Sequence, residues 1–238
     1  MCRAAQGADL DAFGVSDHCN VSPRERQVSA KKALGFNLDM TYERRREAIE
    51  NMRERFDLEI YDAVEMDYDS RDTDEIAAFL DEAGFDYTIG SVHHLEEVNV
   101  HVQPYFERKS EAERRELVDH FYDEAVSLFD SGLFDIAAHV DLVERNPALR
   151  GFATDDHYHR VAEAAEASDT LVEINAGRVL NEYGQFHPHP DFLDVLADYD
   201  VEYVLGSDSH APKELTTRTP ELDAFVAECG VEPVALDV

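Results

Sequence analysis

The chain has 238 residues, 44% of them hydrophobic, and it carries 53 acidic against 21 basic side chains, a formal net charge of −32. So strong a negative charge repels nucleic acid and anionic membranes, which argues against long nucleic acids and membrane surfaces as partners. The hydrophobic content is too high for a disordered acidic chain. The length suits one large domain or two small ones, and we expect one domain over residues 1–238.

The acidic side chains are spread along the whole chain, whereas lysine occurs only at Lys31, Lys32, Lys109 and Lys213. This composition is similar to that of cytosolic proteins from salt-loving archaea, where high salt screens the repulsion between like charges. An acidic protein of a mesophile is the alternative that we favour less.

The cysteines indicate a reducing compartment. Cys2, Cys19 and Cys229 form neither a disulfide framework nor a Cys-x-x-Cys pair. The longest apolar runs are far too short to span a bilayer, and the first residues lack the pattern of a secretory signal. We therefore expect a cytoplasmic protein.

Apolar periodicity and turn residues predict strands that alternate with helices along the chain. Residues 1–10 have the pattern of the end of a helix, a strand over 13–16 closes on Asp17 and His18, and a polar loop covers 20–39. The later predicted elements are, in order, helix 42–56, a strand within 58–68, helix 72–83, strand 86–92, loop 95–106, helix 110–131, strand 134–138, helix 154–168, strand 170–174, helix 190–199, strand 203–205, helix 220–229 and a terminal strand within 231–238.

About six strand–helix repeats predict a parallel sheet with right-handed crossovers. The predicted strands are apolar on both faces, as expected when helices cover one face and a barrel interior fills the other. Polar side chains follow nearly every strand, and a barrel would gather those ends at one mouth, whereas an open sheet would spread them along an edge. The sequence contains no glycine-rich phosphate loop or dinucleotide-binding motif. We therefore predict an α/β fold of the (β/α) barrel type.

Histidines and acids lie at or just after the predicted strand ends; they are His18, Glu65, His93, His139, Glu173, Asp208 and His210. Imidazole and carboxylate together suit Zn²⁺, Mn²⁺ or Fe²⁺. Seven donors exceed the needs of one ion, so the pattern predicts a multinuclear centre of the kind used in phosphoester hydrolysis. Taken singly, each residue could instead cap a turn, stay solvated or fill the core, and Glu173 could orient a ligand imidazole.

The other histidines are expected to have ordinary roles. His157 and His159 begin a helix and are expected to face solvent, and His101 and His120 are expected on the surface. His187 and His189 fall in a loop, for which we favour an ordinary loop position over substrate contact.

The chain resembles the polymerase-and-histidinol-phosphatase (PHP) superfamily, and within it the histidinol-phosphatase type. The resemblance implies a distorted seven-stranded (β/α) barrel with up to three divalent metal ions. The matching segments occur in family order and span nearly the whole chain: Gly14-Val15-Ser16-Asp17-His18, Val64-Glu65-Met66-Asp67-Tyr68, Ile89-Gly90-Ser91-Val92-His93, His139-Val140-Asp141-Leu142-Val143, Val172-Glu173-Ile174-Asn175 and Leu205-Gly206-Ser207-Asp208-Ser209-His210.

The resemblance also implies a role for each matching residue. Glu65 would bridge two metal ions, and His93 and His139 would complete the protein ligands of the second ion. The first ion would be bound by Asp208, and the third by His18 and His210. His93 is preferred to His94 because it follows the Gly-Ser-Val segment. Behind these ligands we expect two supporting carboxylates, Asp17 and Glu173.

One departure from the family lies at the N-terminus. The first strand of the family carries a His-x-His pair and is followed by a further histidine, and no such residues precede Phe13 here. The first strand of the barrel is therefore expected to be missing from this chain. We favour a start codon assigned too late; the alternative is a truncated, non-catalytic metal-binding protein.

The predicted activity is hydrolysis of a small phosphate monoester by water activated between ions at Glu65 and Asp208. Arg178 is the first candidate for binding the phosphate group and Arg145 the second, since a guanidinium group matches phosphate bidentately. Surface ion pairing is the ordinary alternative for both. The family suggests L-histidinol phosphate, in histidine biosynthesis, as the substrate; nucleotides or short oligonucleotides are the alternative. The sequence does not indicate an oligomeric state.

Overall fold

The computed structural model describes residues 1–34, 37–236 and 238, without the side chain of Leu34. Strands and helices alternate as predicted. Their bounds are α1 (Cys2–Gly7), β1 (Ala12–Cys19), α2 (Glu25–Leu34), α3 (Tyr42–Arg53), β2 (Glu59–Asp67), α4 (Thr73–Ala83), β3 (Tyr87–Ser91), β4 (His94–Leu95), β5 (Val98–Asn99), α5 (Gln103–Phe106), α6 (Glu111–Ser131), β6 (Ile136–Ala137), α7 (Asp155–Glu166), β7 (Leu171–Asn175), α8 (Pro190–Leu196), β8 (Tyr203–Gly206) and α9 (Pro212–Cys229).

Six of the strands form one parallel sheet in the order β1-β2-β3-β6-β7-β8. The sheet curls into a half-barrel, which confirms the prediction of an α/β fold with parallel strands. Because the strands are parallel, all their carboxyl ends lie at the same side of the sheet. In β1 and β2 the register places His18 directly opposite Glu65, so two candidate ligands are neighbours in the sheet.

Local signals in the sequence account for several helix ends. Ser110 accepts a hydrogen bond from the backbone N–H of Glu113, and the Glu113 carboxylate accepts one in return, so the predicted capping box begins α6. Helix α4 ends at Gly84, whose φ of 58° lies in the left-handed region that favours glycine. These two helices therefore follow the predicted bounds closely.

The main apolar core lies between the sheet and helices α6, α7 and α8. Phe121, Tyr122 and Phe129 of α6 are among its largest buried side chains. Gly90 in β3 allows close packing there, because a Cβ atom at this position would lie 2.6 Å from the ring of Phe134. Among the described helices, none is both long enough and apolar enough to cross a membrane.

The prediction of a polar loop over residues 20–39 is wrong in part, since this segment contains helix α2 and a 3-10 turn over Leu38–Met40. Gly35 and Phe36 of that predicted loop lie outside the described residues. Among the described side chains of helix α2 there is no apolar stripe, and the buried one is that of the polar Gln27. A helix of this kind leaves no hydrophobic periodicity in the sequence.

Three further predictions are corrected. The predicted loop 95–106 contains the antiparallel pair β4 and β5 and the short helix α5. The last helix begins at Pro212 rather than Pro220, which lies inside it. Residues 231–236 and 238 contain no strand, although the backbone N–H of Val234 donates a hydrogen bond to Tyr203 at 2.8 Å.

Candidate metal centre

The candidate ligands come from five strands whose carboxyl ends meet. His18 and Glu65 lie inside β1 and β2, near their ends. His93, His139 and Asp208 each lie two residues beyond the last residue of a strand, namely β3, β6 and β8. The strand ends thus carry these side chains to one edge of the curled sheet, as the sequence predicts.

Glu65 is the centre of the cluster. Its Oε1 atom lies 3.1 Å from Nε2 of His139 and 3.4 Å from Nε2 of His93, and its Oε2 atom lies 3.4 Å from Nδ1 of His18. The ring centroid of His93 lies 5.0 Å from that of His18 and 5.0 Å from that of His139. One carboxylate therefore lies among three imidazole rings.

Asp67 holds His93 on the side of the ring away from Glu65. The Nδ1 atom of His93 lies 2.7 Å from Oδ1 of Asp67 and 2.9 Å from Oγ of Ser91. Since an ionised carboxylate can only accept, Nδ1 of His93 donates to Asp67, and Nε2 is the nitrogen that faces Glu65. Support of this kind is typical of histidines that bind metals. Sequence reasoning assigned no role to Asp67, although it lies two residues after Glu65 and hence on the same face of the strand.

His139 and Asp208 share an unusual backbone conformation. Their φ angles are 33° and 46°, in the left-handed region that non-glycine residues adopt rarely. The backbone N–H of His139 donates to Oε2 of Glu173 at 3.3 Å, and the Asp208 carboxylate accepts from Nη2 of Arg145 at 3.2 Å. Such conformations cluster at functional sites, where neighbouring contacts hold them.

Two glycines make room for this arrangement. A Cβ atom on Gly206 would lie 1.7 Å from Oε1 of Glu173, and one on Gly177 would lie 2.0 Å from Oδ2 of Asp208. Neither position tolerates a side chain without displacing a carboxylate of the site.

The protonation states of Glu65 and His139 suit metal ligands. Burial would raise the pKa of Glu65, but the hydrogen bond from His139 and the nearby imidazoles of His93 and His18 hold it below its usual range. Burial lowers the pKa of His139 to about 4, and burial together with the charge of Asp208 raises the pKa of Glu173 to about 8. An ionised Glu65 beside a neutral His139 is the combination that divalent metals require.

The donor set fits a divalent metal ion. Among the described residues, two groups have ligand atoms within 4.8 Å of one another: Glu65 with His93 and His139, and His18 with Asp67 and His93. The Nδ1 atom of the buried His139 has no hydrogen-bond partner in the described part of the chain. Nitrogen and carboxylate donors at this spacing suit zinc.

The cluster opens into a cavity of about 500 Å³, which also contains Asp208, His210, Arg145 and Arg178 in its wall. Asp208 and His210 follow strand β8 and face each other, with 3.7 Å between Oδ1 and Nδ1. Arg145 is almost completely buried, whereas Arg178 is half-buried. Both predicted phosphate-binding residues thus lie on the wall of the same cavity as the candidate ligands.

The two carboxylates predicted to support the ligands have different surroundings. Asp17 points to the other face of β1, because neighbouring strand residues alternate, and pairs with Arg45 of α3 at 3.2 Å. It does not contact a candidate ligand. Glu173 holds the backbone N–H of His139 and accepts from Nδ2 of Asn175 at 2.9 Å, rather than contacting an imidazole ring.

Among the other histidines, the expectation for His157 is wrong, and the buried partner of His187 was not expected. His157 is buried instead of solvent-exposed, and it stacks on Tyr122 with ring centroids 4.7 Å apart. His187 is completely buried and hydrogen-bonded to Asp141, which no local pattern in the sequence indicates because the two residues are 46 positions apart. His101 is exposed as expected, but it lies on the wall of the cavity.

Comparisons with known proteins identify relatives of this chain. A protein of Deinococcus radiodurans named "Probable histidinol-phosphatase" is 25% identical over 148 residues, which cover 61% of this chain and 55% of that protein. The chain thus spans about half the length of this curated relative.

Two solved structures have the same fold. The crystal structure of histidinol phosphate phosphatase from Lactococcus lactis, complexed with zinc, L-histidinol and phosphate, has a TM-score of 0.74 at 18% identity, covering 98% of this chain and 87% of the other. A candidate histidinol phosphatase from Listeria monocytogenes has a TM-score of 0.70 at 15% identity, covering 90% and 89%. At these identities the two structures establish the fold alone. The PHP domain family matches residues 1–177, which is most of the chain, and this chain therefore belongs to the PHP domain family.

Proposed function

We propose that this chain is a metal-dependent phosphatase that hydrolyses a small phosphate monoester, with L-histidinol phosphate as its substrate. The observation that carries the proposal is the position of Glu65 among His18, His93 and His139, within 3.4 Å of each ring. Two arginines on the wall of the same cavity supply the positive charge that a phosphate group needs.

The residues divide into groups by the ion they would hold. Glu65, His93 and His139 would hold one divalent ion, and the Glu65 carboxylate would reach a second ion together with Asp208. His18 and His210 would contribute to a third. Zinc, manganese or iron would each be suited to these donors. A divalent ion bound here supplies Lewis-acid stabilisation of phosphoryl oxygens and lowers the pKa of a water molecule.

The side chains of the protein bind and orient the substrate. The planar guanidinium groups of Arg145 and Arg178 would donate hydrogen bonds to phosphoryl oxygens and stabilise the charge that develops on them. Arg145 is buried and fixed, so it would define where the phosphate group lies. Arg178 is half-buried in the wall of the same cavity and would bind the phosphate group from there.

The cavity supports a small substrate. Its volume of about 500 Å³ falls in the range that small-molecule sites occupy. The relative from Lactococcus lactis was crystallised with zinc, L-histidinol and phosphate, which supports the same substrate for this chain. The net charge of −32 disfavours long nucleic acids.

The test is hydrolysis of L-histidinol phosphate by the metal-loaded protein, compared with a panel of nucleotides and short oligonucleotides. We expect phosphate release from L-histidinol phosphate at the highest kcat/KM. Preference for a nucleotide would reject the substrate, and no hydrolysis at all, with one metal ion or none per chain, would favour a non-catalytic protein.

Glu65→Gln tests the metal centre itself. The amide keeps the shape but removes the negative charge, so we expect loss of metal and at least a hundredfold loss of activity, by analogy with the ~10²–10³ that single catalytic contacts contribute. Glu59→Gln, the same change at an exposed position of the same strand, is the control and should leave activity unchanged. Full activity of Glu65→Gln would contradict the proposal.

A further inference from the structure

A chain of buried polar side chains lies behind the cavity wall. The side chains of Asp141 and His187 are completely buried, and that of Arg145 is 6% exposed. One ring nitrogen of His187, Nδ1, contacts Oδ1 of Asp141, and the other, Nε2, lies 2.8 Å from Nε of Arg145. Among the described residues that form the cavity wall, Arg145 is present but Asp141 and His187 are not. The side chains of the pair therefore reach the cavity wall through Arg145.

The chemistry of its two neighbours fixes the tautomer of His187. The Nε atom of an arginine always carries a hydrogen and can only donate, so Nε2 of His187 must present its lone pair. The single ring proton is then on Nδ1, where it is donated to the Asp141 carboxylate. Oδ2 of Asp141 is occupied as well, since it accepts from the backbone N–H of His189 at 2.6 Å.

The same contacts leave one edge of the Arg145 guanidinium group for a ligand. Its Nε atom donates to His187, and its Nη2 atom donates to Oδ1 of Asn175 at 2.8 Å and to Oδ2 of Asp208 at 3.2 Å. Two of the residues that accept from Arg145 are also bonded to each other: Asn175 and His187 exchange backbone hydrogen bonds of 2.7 and 3.1 Å. Nη1 is the nitrogen that these protein contacts do not use.

We propose that Asp141 and His187 are positioning residues that fix the Arg145 guanidinium group so that its Nη1 edge meets the phosphate group of the substrate. This inference rests on the proposed phosphatase function and adds two residues that do not touch the substrate. An arginine side chain has many rotamers, and ordering it before the substrate arrives removes an entropic cost from binding. No proton is transferred in this role; Asp141 selects the tautomer, and His187 holds the arginine.

Asp141→Asn tests the tautomer while it keeps the shape of the side chain. The amide has one oxygen for two donors, the backbone N–H of His189 and the ring of His187. If that oxygen accepts from His189, the amide NH₂ group faces Nδ1 of His187 and moves the ring proton to Nε2, against the N–H of Arg145. We expect the affinity of the metal-loaded protein for inorganic phosphate to fall by about tenfold to a hundredfold, because the two N–H groups would then face each other and displace the guanidinium group.

Kinetics and a second residue separate positioning from general damage. We expect Asp141→Asn to raise KM for the phosphate monoester more than it lowers kcat. His187→Gln places an amide oxygen near the position of Nε2 and should retain most of the phosphate affinity, whereas His187→Leu should lose it. In an Arg145→Ala background, Asp141→Asn should add no further loss, because both changes act through the same guanidinium group.

His157→Gln is the matched control. His157 is also a buried histidine that pairs with a carboxylate, with 3.0 Å between its Nε2 atom and Oδ1 of Asp119, and it lies outside the cavity wall. Its replacement should leave phosphate affinity unchanged. Melting temperatures of all the variants show whether each folds; if Asp141→Asn does not, the comparison of His187→Gln with His187→Leu decides.

Nitrogen-15 NMR of the wild-type protein provides a readout that does not depend on activity. We expect the ring proton of His187 on Nδ1 in the wild type and on Nε2 in Asp141→Asn. A wild-type proton on Nε2, no phosphate binding by the wild type, or unchanged phosphate affinity in both Asp141→Asn and His187→Leu would overturn the inference.

These experiments distinguish failure of the positioning role from failure of the proposed phosphatase function. If the wild type hydrolyses no phosphate monoester but binds phosphate, and Asp141→Asn weakens that binding, the positioning role stands and the phosphatase assignment fails. If the wild type is an active phosphatase and the variants bind phosphate as it does, the phosphatase assignment stands and the positioning role fails.

Discussion

The His93 imidazole and the Asp67 carboxylate form a hydrogen-bonded pair, with 2.7 Å between Nδ1 and Oδ1, on the side of the ring away from Glu65. The pair fixes the ring orientation and makes Nε2 a better electron-pair donor. The Asp67 side chain also accepts from Nδ2 of Asn20 at 3.0 Å, so its own position is held.

Asp67→Asn should therefore weaken metal binding, although it leaves the side chains of Glu65, His93 and His139 in place. We expect zinc affinity to fall by about tenfold to a hundredfold, the range known for partners that orient metal-binding histidines. Titration calorimetry with Zn²⁺ measures it. Asp74→Asn, at an exposed position of α4, is the control. Equal affinity of Asp67→Asn and the wild type would show that Asp67 does not support His93.

Gly206→Ala should displace Glu173, whose carboxylate accepts from the backbone N–H of His139. The new Cβ atom would lie 1.7 Å from Oε1 of Glu173, so the Glu173 side chain must move and release the backbone N–H of His139. We expect a loss of about 1–3 kcal/mol in the free energy of unfolding, as for other overpacked positions, together with weaker metal binding. Urea denaturation and metal titration measure the two effects.

Gly7→Ala is the control for Gly206→Ala. Gly7 lies in helix α1, and an added Cβ atom there would meet nothing within 4 Å. This variant should be as stable as the wild type or slightly more so. If both variants behaved alike, the close contact between Gly206 and Glu173 would not matter for stability.

Glu144 should make stability depend on pH. Burial, with a further contribution from the charge of Asp141, raises the pKa of Glu144 to about 7 in the folded chain, against 4.5 for the free side chain. The folded state therefore binds the proton more tightly than the unfolded state, and stability is lost as the pH rises from about 4.5 to about 7.

Glu144→Gln should remove this loss. The amide oxygen can still accept from the backbone N–H of Gly151, which lies 3.1 Å from Oε2 of Glu144. Above pH 7 we expect the variant to be more stable than the wild type by up to about 3 kcal/mol, and below pH 4.5 we expect little difference. Urea denaturation across this pH range measures the difference, with Glu163→Gln on the exposed face of α7 as the control. A difference that did not change with pH would contradict the assignment.

Salt should stabilise the folded chain. With a net charge of −32, repulsion between carboxylates opposes the compact state, and the screening length falls from about 30 Å at 0.01 M salt to about 3 Å at 1 M. We expect the melting temperature to rise with KCl over this range. A melting temperature that stays level or falls would speak against the proposed adaptation to high salt.

The sequence predicted that the candidate ligands lie together because each comes from the carboxyl-terminal end of a strand or from just after it. His139 and Asp208 come directly after short apolar runs, and parallel strands carry such residues to one edge whatever the details of packing. Asp141 and His187 were different: their contact joins positions 46 residues apart, and nothing local to either residue indicates it. His157 was placed in solvent because a helix start is polar, yet stacking on Tyr122 buries it.

Secondary structure was predictable where the apolar residues of a segment follow the period of a helix or a strand. Helix α6 has a capping box and a buried face, and its bounds follow the prediction. Helix α2 was missed because it buries the polar Gln27 instead of an apolar stripe. Gln27 and Lys31 lie on the wall of the cavity, so this helix has the composition of a site rather than of a core.

The left-handed backbone of His139 and Asp208 has a consequence for the evolution of this chain. Each such residue costs of the order of 1–3 kcal/mol, which is a sizeable part of the roughly 5–15 kcal/mol by which a protein is stable. Glycine at either position would relax the backbone but remove a candidate ligand. Selection for stability alone would therefore favour loss of the candidate metal centre. We expect a homologue with glycine at both positions to be more stable and to lack the activity.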